Sequence, residues 1–502
     1  MPIPSSELAA TSSLATPEPA PARHPDTITS PRELRQWLSD LPAVDSTQLV
    51  RQLSHQLSLL VRDPRPDAKF QPLLQCYHEI VESLQEQAVE SRKRSPETRS
   101  HAQISLLTSI PHLLHELANG HMRSVELQLK AGGTPDAEDI YVAQLLMRRA
   151  IHWELLEYRM FRPVVWQQIV QLYNVATLYG LECVSVDSDL RLAEDPTNTH
   201  DLFFSSLALL LADPYRLPNH CIRELEYKLP EYAAKLQMSP DKTSSQQIPL
   251  DLSGRISPLH YARQPDPSLP AHYVSFGQLL TDLTPGRLDD AGCDLDGWLE
   301  QSLGGLLAGG HERRHPRRAR SADYHFVIGL KTVHERLRSL QPGYTAANSA
   351  GIECAPTLSG IPCVQNDISS SGAGFVLPGN QHYPDPGEWA LFELDSPAGN
   401  PPVCGFVGQI KRCMRDEDDY LRIGVERLLG NVIPVNVGPA KKPALFNANQ
   451  EKSSYRLIAP HGYYEAEKVD VLVGSNKDYR VKHKKLLSRE GSTEIIQLVL
   501  MG

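Results

Sequence analysis

Two short stretches of this 502-residue chain carry side chains whose types and spacing could do binding chemistry. The first is the basic run Glu312-Arg313-Arg314-His315-Pro316-Arg317-Arg318-Ala319-Arg320, with five arginines in eight residues. A guanidinium can bind guanine O6 and N7 with two parallel hydrogen bonds, pair bidentately with phosphate, and stack on a base. The run predicts an anion and guanine reader, a flexible segment at a domain's entrance that wraps a guanine nucleotide. The plainer account is a solvated charge patch. The second stretch is the polar turn Asn366-Asp367-Ile368-Ser369-Ser370-Ser371-Gly372. Its Asp367 carboxylate can accept from guanine N1–H and N2–H, the Ser369 hydroxyl can add a further bond, and Gly372 admits close backbone approach. Taken alone it would pass for an ordinary turn, because Asp, Ser and Gly are the commonest turn formers.

Other constellations fail on spacing. His112, His115, Glu116 and His121 suggest a metal cluster, but an HExxH helix needs histidine at the position held by Asn119. Gly292, Asp294, Asp296 and Gly297 resemble a calcium loop that lacks its first ligand and a correctly placed closing Glu. There is no phosphate-binding glycine loop, dinucleotide fingerprint or nucleophile elbow. No catalytic residue, metal site or cofactor is therefore expected, and the chain reads as a binding protein, not an enzyme. The eight cysteines include no CxxC pair, so free and mostly buried thiols are expected.

The elements around these stretches fall into two styles. Residues 1–29 are rich in Pro, Ala, Ser and Thr and are expected to be disordered. From 30 to about 240 apolar residues recur at helical spacing. Ser30, Pro31 and Glu33 open the series as a capping box, and a helix over Ile104–Leu117 is expected to close near Asn119-Gly120. Pro163 starts another, which Gly180 ends. The alternation of Trp166, Tyr173 and Ala176 is loosely tetratricopeptide-like, and such domains mostly present surfaces to other proteins. Residues 241–310, broken by prolines, read as a connector with some strand and helix.

After residue 310 the style changes to short strands rich in β-branched and aromatic residues, separated by Gly, Pro, Asp and Asn turns. Tyr324–Ile328, Ile361–Val364, Gly374–Leu377, Trp389–Leu394, Val403–Ile410 and Leu421–Val425 predict a small closed barrel over 311–433. Residues 434–502 predict a β-rich extension or a second β unit. The fold class is thus multidomain α plus β. The most apolar run, Leu202–Ala212, is too short to cross a bilayer and reads as a buried helix. With 41% apolar and 22% charged residues and no basic–apolar leader, the chain is expected to be soluble and cytoplasmic, with no membrane insertion. A net charge of −10 argues against a chain that coats nucleic acid.

In this order, and before these strands, the two motifs resemble those of the PilZ family of cyclic di-GMP receptors. Arg313 and Arg317 fit the family's RxxxR element, with Arg314 completing a doublet and Arg314 with Arg318 satisfying a shifted register. Asp367, Ser369 and Gly372 fit its (D/N)xSxxG turn. Gly408-Gln409-Ile410-Lys411-Arg412 followed by Arg422-Ile423-Gly424-Val425-Glu426 is similar to its later strands. The resemblance covers about 310–433. It implies a barrel that binds cyclic di-GMP through Arg313, Arg314, Arg317, Arg318, Asp367, Ser369 and Gly372. It further implies a receptor that acts on motility, type IV pili or biofilm through an unidentified protein partner of the helical domain. The gap of 50 residues from Arg317 to Asp367 is longer than the family's, and residues 331–360 read as an insertion. Two alternatives stand beside this: a scaffold whose barrel no longer takes nucleotide, and an RNA or single-stranded DNA binder acting through the arginine run.

Overall fold

The computed structural model describes residues 14–41, 46–64, 70–93, 98–263, 265–266, 271–289, 292–308, 317–341, 360–378, 384–394, 403–416, 418–449, 454–474, 477–490 and 492–501. The chain divides into two compact units, Met1–Pro214 with His220–Glu312, and Tyr215–Asn219 with Arg313–Gly502.

The first unit is mainly helical. Among the described residues its α-helices up to Ala233 are α1 (Pro31–Asp40), α2 (Ser46–Val61), α3 (Phe70–Arg92), α4 (His101–Lys130), α5 (Ala137–Leu156), α6 (Pro163–Tyr179), α7 (Thr199–Leu211) and α8 (Asn219–Ala233). Several ends follow local chemistry. Pro163 sits in the first turn of α6, and Gly180 closes it in the left-handed conformation at φ 68°. Ser30 precedes α1 but its side chain makes no capping bond; Ser100 and Gln103 form the capping box instead, opening α4. That helix does not stop at Gly120. A Cβ there would lie 2.5 Å from a Leu74 methyl, so this glycine lets α3 and α4 approach closely. The expected cap was a packing residue. The apolar run at 202–212 forms the buried α7, where Tyr173 of α6 stacks on Phe203 at 4.1 Å. Among the described residues no helix is long and apolar enough to cross a membrane.

The proline-rich lead is partly held. Leu14 is buried, and Gln171 and Gln168 of α6 bond the Ala15 backbone at 2.8 and 2.7 Å. Beyond α8 comes an antiparallel sheet in the order β1-β3-β2, from β1 (Gln237–Ser239), β2 (Gln247–Asp251) and β3 (Ala271–Ser275). It is accompanied by α9 (Pro258–Arg263), α10 (Gly277–Asp282) and α11 (Leu295–Leu307). Trp298 and Ser302 of α11 donate to the Ala212 and Leu211 carbonyls at 2.8 and 2.9 Å, anchoring that helix on the end of α7. The expectation of free thiols fails at Cys221 of α8 and Cys293 before α11, which form a disulfide across 72 residues. Spacing rules see only near neighbours, and the fold makes this pair. Cys76, Cys183 and Cys413 are free thiols.

The second unit holds two closed six-stranded barrels. The first has the order β4-β5-β6-β9-β8-β7. Its strands are β4 (Arg318–Ile328), β5 (Ile361–Ile368), β6 (Gly372–Leu377), β7 (Trp389–Leu394), β8 (Val403–Arg415) and β9 (Leu421–Arg427). The second, β10-β11-β12-β15-β14-β13, is made from β10 (Asn431–Val437), β11 (Lys442–Asn449), β12 (Ser454–Pro460), β13 (Val469–Gly474), β14 (Asp478–Glu490) and β15 (Thr493–Leu500). The β-rich tail is therefore a barrel in its own right. Strands β10 and β11 escape pattern reading because Pro434 and Pro443 interrupt them.

Helix α12 (Leu330–Ser339) lies after β4, where an insertion was expected. It is part of the core: Val333 and Leu337 pack with Val327, Trp389, Leu391 and Val407 of the first barrel and with Leu445 and Ile458 of the second. Arg336 grips Glu393 of β7 with two bonds at 2.9 and 3.2 Å. Trp389 donates its indole N–H to Thr493 Oγ1 of the second barrel at 3.2 Å.

Candidate functional site

The register of β4 against β5 decides whether the two motifs meet. The strands run antiparallel, pairing Phe326 with Ile361 at one end and Ala319 with Asp367 at the other. The long connection leaves from the first end and does not affect spacing at the second. The 50 residues between Arg317 and Asp367 are taken up by β4, α12, β5 and residues 342–359, which lie outside the described set. Arg317, one residue before β4, accordingly reaches Asp367: its Nη1 donates to Oδ2 at 2.7 Å. Both side chains keep solvent contact, at 34% and 23% exposure.

The other carboxylate oxygen of Asp367, Oδ1, is buried and has no hydrogen-bond partner among the described residues. A buried acceptor left unpaired costs about 1–3 kcal/mol, so this oxygen is primed for a donor. Bulges at Ala319/Ala322 and Gln365/Asp367 flank it and re-aim the local side chains.

The turn that follows is built by its own residues. Ser369 N donates to the Gly372 carbonyl at 2.8 Å, and Gly372 N donates back to Ser369 Oγ at 3.1 Å. The Ser369 hydroxyl thus shapes the turn. Gly372 is required for space: a Cβ there would lie 2.8 Å from the Val425 carbonyl oxygen of β9. Strand β9 also receives the turn's far side, where Arg427 N donates to Ser371 O at 2.9 Å.

Arg318 and Arg320 lie on β4 itself with exposed side chains, although a flexible entrance segment was expected there. Pairing with the end of β5 overrides the modest strand preference of an arginine-rich run. Arg313 and Arg314 lie outside the described residues. Two contributors escaped sequence reasoning. Gly374, opposite Asp367 in the ladder, leaves the space that Asn366 and Asp367 use; a Cβ there would lie 2.6 Å from Asn366 Oδ1 and 2.9 Å from Asp367 Oδ2. Gln365 is fully buried beneath the turn, with neither amide atom partnered among the described residues. The signal for Gln365 was its inward position in the period-two alternation with Cys363.

The arrangement therefore sets a guanidinium, a partly unpaired carboxylate and a tight glycine turn at one end of a closed barrel. Its donor and acceptor groups complement guanine, with the arginine suited to O6 and N7 and the carboxylate to N1–H and N2–H.

Comparison with known families points the same way from a different part of the chain. Residues 32–242, the helical part of the first unit, match the family model described as cyclic-di-GMP receptor FimW, N-terminal domain. No curated protein matches the chain.

Proposed function

We propose that this protein is a cyclic di-GMP receptor whose first barrel, a PilZ-like domain, takes the ligand. The observation that carries this is the meeting of Arg317 with Asp367, which leaves Asp367 Oδ1 without a partner among the described residues, beside a glycine turn. The family matched by residues 32–242 is named for the same ligand and supports the reading independently of those residues.

On binding, Asp367 accepts from the Watson–Crick edge of one guanine, and Arg317 turns from Asp367 to the O6/N7 edge or a phosphate. Releasing a partly exposed ion pair costs about 0–1 kcal/mol, whereas each charge-assisted bond to ligand returns about 1.5–3 kcal/mol, so the exchange is favourable. Arg313, Arg314 and Arg318 supply further contacts to phosphate and base, while Gly372 lets the turn close against β9 and Gly374 leaves Asp367 its place. The protein acts without catalysis: ligand capture changes how it binds a protein partner through the helical domain, and the output is control of motility, type IV pili or biofilm.

Equilibrium binding of cyclic di-GMP, cyclic di-AMP and a single-stranded RNA at two salt concentrations tests this reading. Saturable binding of cyclic di-GMP at low micromolar concentration or tighter, with cyclic di-AMP at least about tenfold weaker, is expected. Equal or stronger RNA binding with a steep salt dependence would favour the nucleic-acid alternative. Absence of binding to all three would favour the scaffold.

A further inference from the structure

We propose that His220, Cys221 and Cys293 form a zinc-type metal site, available when the Cys221–Cys293 disulfide is reduced. The site lies in the first unit and is independent of the nucleotide reading.

The three ligating atoms all lie within 4.8 Å of one another. A disulfide uses two of them, and the third is placed as a metal ligand would be: His220 Nε2 stands 3.4 Å from Cys221 Sγ. Tetrahedral zinc, with its bonds to sulfur near 2.3 Å and to nitrogen near 2.0–2.1 Å, sets sulfur and nitrogen about 3.5 Å apart. It sets two sulfurs about 3.8 Å apart. The Cys221 and Cys293 Cα atoms are 5.8 Å apart, so reduction lets the sulfurs separate by side-chain rotation over an unchanged backbone.

Local structure favours the charged ligands. Cys221 sits in the first turn of α8, where the positive end of the helix dipole stabilises a thiolate. Cys293 is held by Asp289, whose carboxylate accepts from Cys293 N at 2.7 Å and whose own N donates to Cys293 O at 2.9 Å. Both cysteines are buried and His220 is half-buried; with three protein ligands, water would complete a tetrahedral set. A set of two thiolates and an imidazole selects zinc or another soft divalent ion over calcium or magnesium.

A thiol or phosphine reductant supplies the two electrons. With a phosphine, water provides the oxygen of the phosphine oxide, and its two protons go to the sulfurs. Metal binding then displaces both thiol protons. Disulfide and metal complex are thus alternative fastenings between the start of α8 and the segment before α11.

The test is cobalt(II) titration of the full chain, oxidised and after phosphine reduction. The reduced protein is expected to bind one ion per chain, with thiolate charge-transfer absorption in the near ultraviolet and tetrahedral bands in the visible, both displaced by zinc. The oxidised protein should show neither. His220→Ala should keep the thiolate band with affinity about tenfold weaker or more. Cys293→Ser should lose it, and Cys183→Ser, at an exposed thiol elsewhere, should leave it intact. A reduced wild type without these bands overturns the proposal whatever the variants do. So does a band that survives Cys293→Ser or depends on Cys183.

Discussion

One shared carboxylate sets what each residue of the candidate site does. Asp367 gives one oxygen to Arg317 and, among the described residues, keeps the other unpaired, so removing either side chain should cost ligand contacts while disturbing little else. Arg317→Ala is expected to weaken cyclic di-GMP binding by about tenfold to hundredfold, about 1.4–3 kcal/mol, with an unchanged circular dichroism spectrum. The two glycines should separate into different effects. Gly372→Ala drives a Cβ against the Val425 carbonyl, a backbone group that cannot swing away. It should lower stability by about 1–3 kcal/mol in a denaturant melt. Gly374→Ala meets the ends of two side chains, and should instead displace Asp367 and weaken ligand binding more than it lowers the melting temperature. That Arg317 and Asp367 belong to one candidate site was legible because arginine, aspartate and glycine at fixed spacing have few other joint uses. Gln365 and Gly374 were not, since their parts depend on the cross-strand neighbour and the inward face, which no local spacing reveals.

At the scale of elements, α12 is the piece whose role the sequence concealed. The stretch read as an insertion, yet its helix packs on strands of both barrels, with partners spread from Val327 to Ile458. The long gap that looked like an obstacle to the site is the connection at the far end of an antiparallel pair. Strand boundaries failed in a similar way: Arg318–Ala322 became strand by pairing with β5 against local preference, and Gly120 became helix by packing against Leu74. The helix-to-barrel grip is testable. Glu393 is 6% exposed, and Arg336→Ala strips its carboxylate of a bidentate partner. The expected loss is about 1–3 kcal/mol, seen as faster amide hydrogen exchange in α12, β7 and β10.

For the whole molecule, acid should act through buried imidazoles before it acts through carboxylates. Burial, aided by Arg338, lowers the His334 pKa from 6.5 to about 4, and burial with Arg162 does the same at His115. Partial burial, with His121 beside it, lowers half-buried His78 to about 3. These groups stay neutral in the fold and take protons first in the unfolded chain. Their contribution is therefore complete above pH 6.5 and is lost as pH falls from 6.5 towards 4 and 3. Glu226 follows lower down. Burial would raise it, but Arg148 and His152 hold it at about 2, so its contribution goes as pH falls from 4.5 towards 2. Melting temperature is expected to decline from about pH 6.5, and His334→Gln should flatten the upper part of that decline for the barrel unit; an unchanged profile would remove His334 from the account.

The claim on which the rest depends is that the end of the first barrel binds cyclic di-GMP through Asp367. Titration calorimetry of the full chain against Asp367→Ala tests it most directly. Saturable heat with one defined stoichiometry in the natural protein is predicted, reduced at least about tenfold in affinity in the variant at equal helical and strand content. No heat at tens of micromolar ligand, or equal affinity in the two proteins, would contradict it.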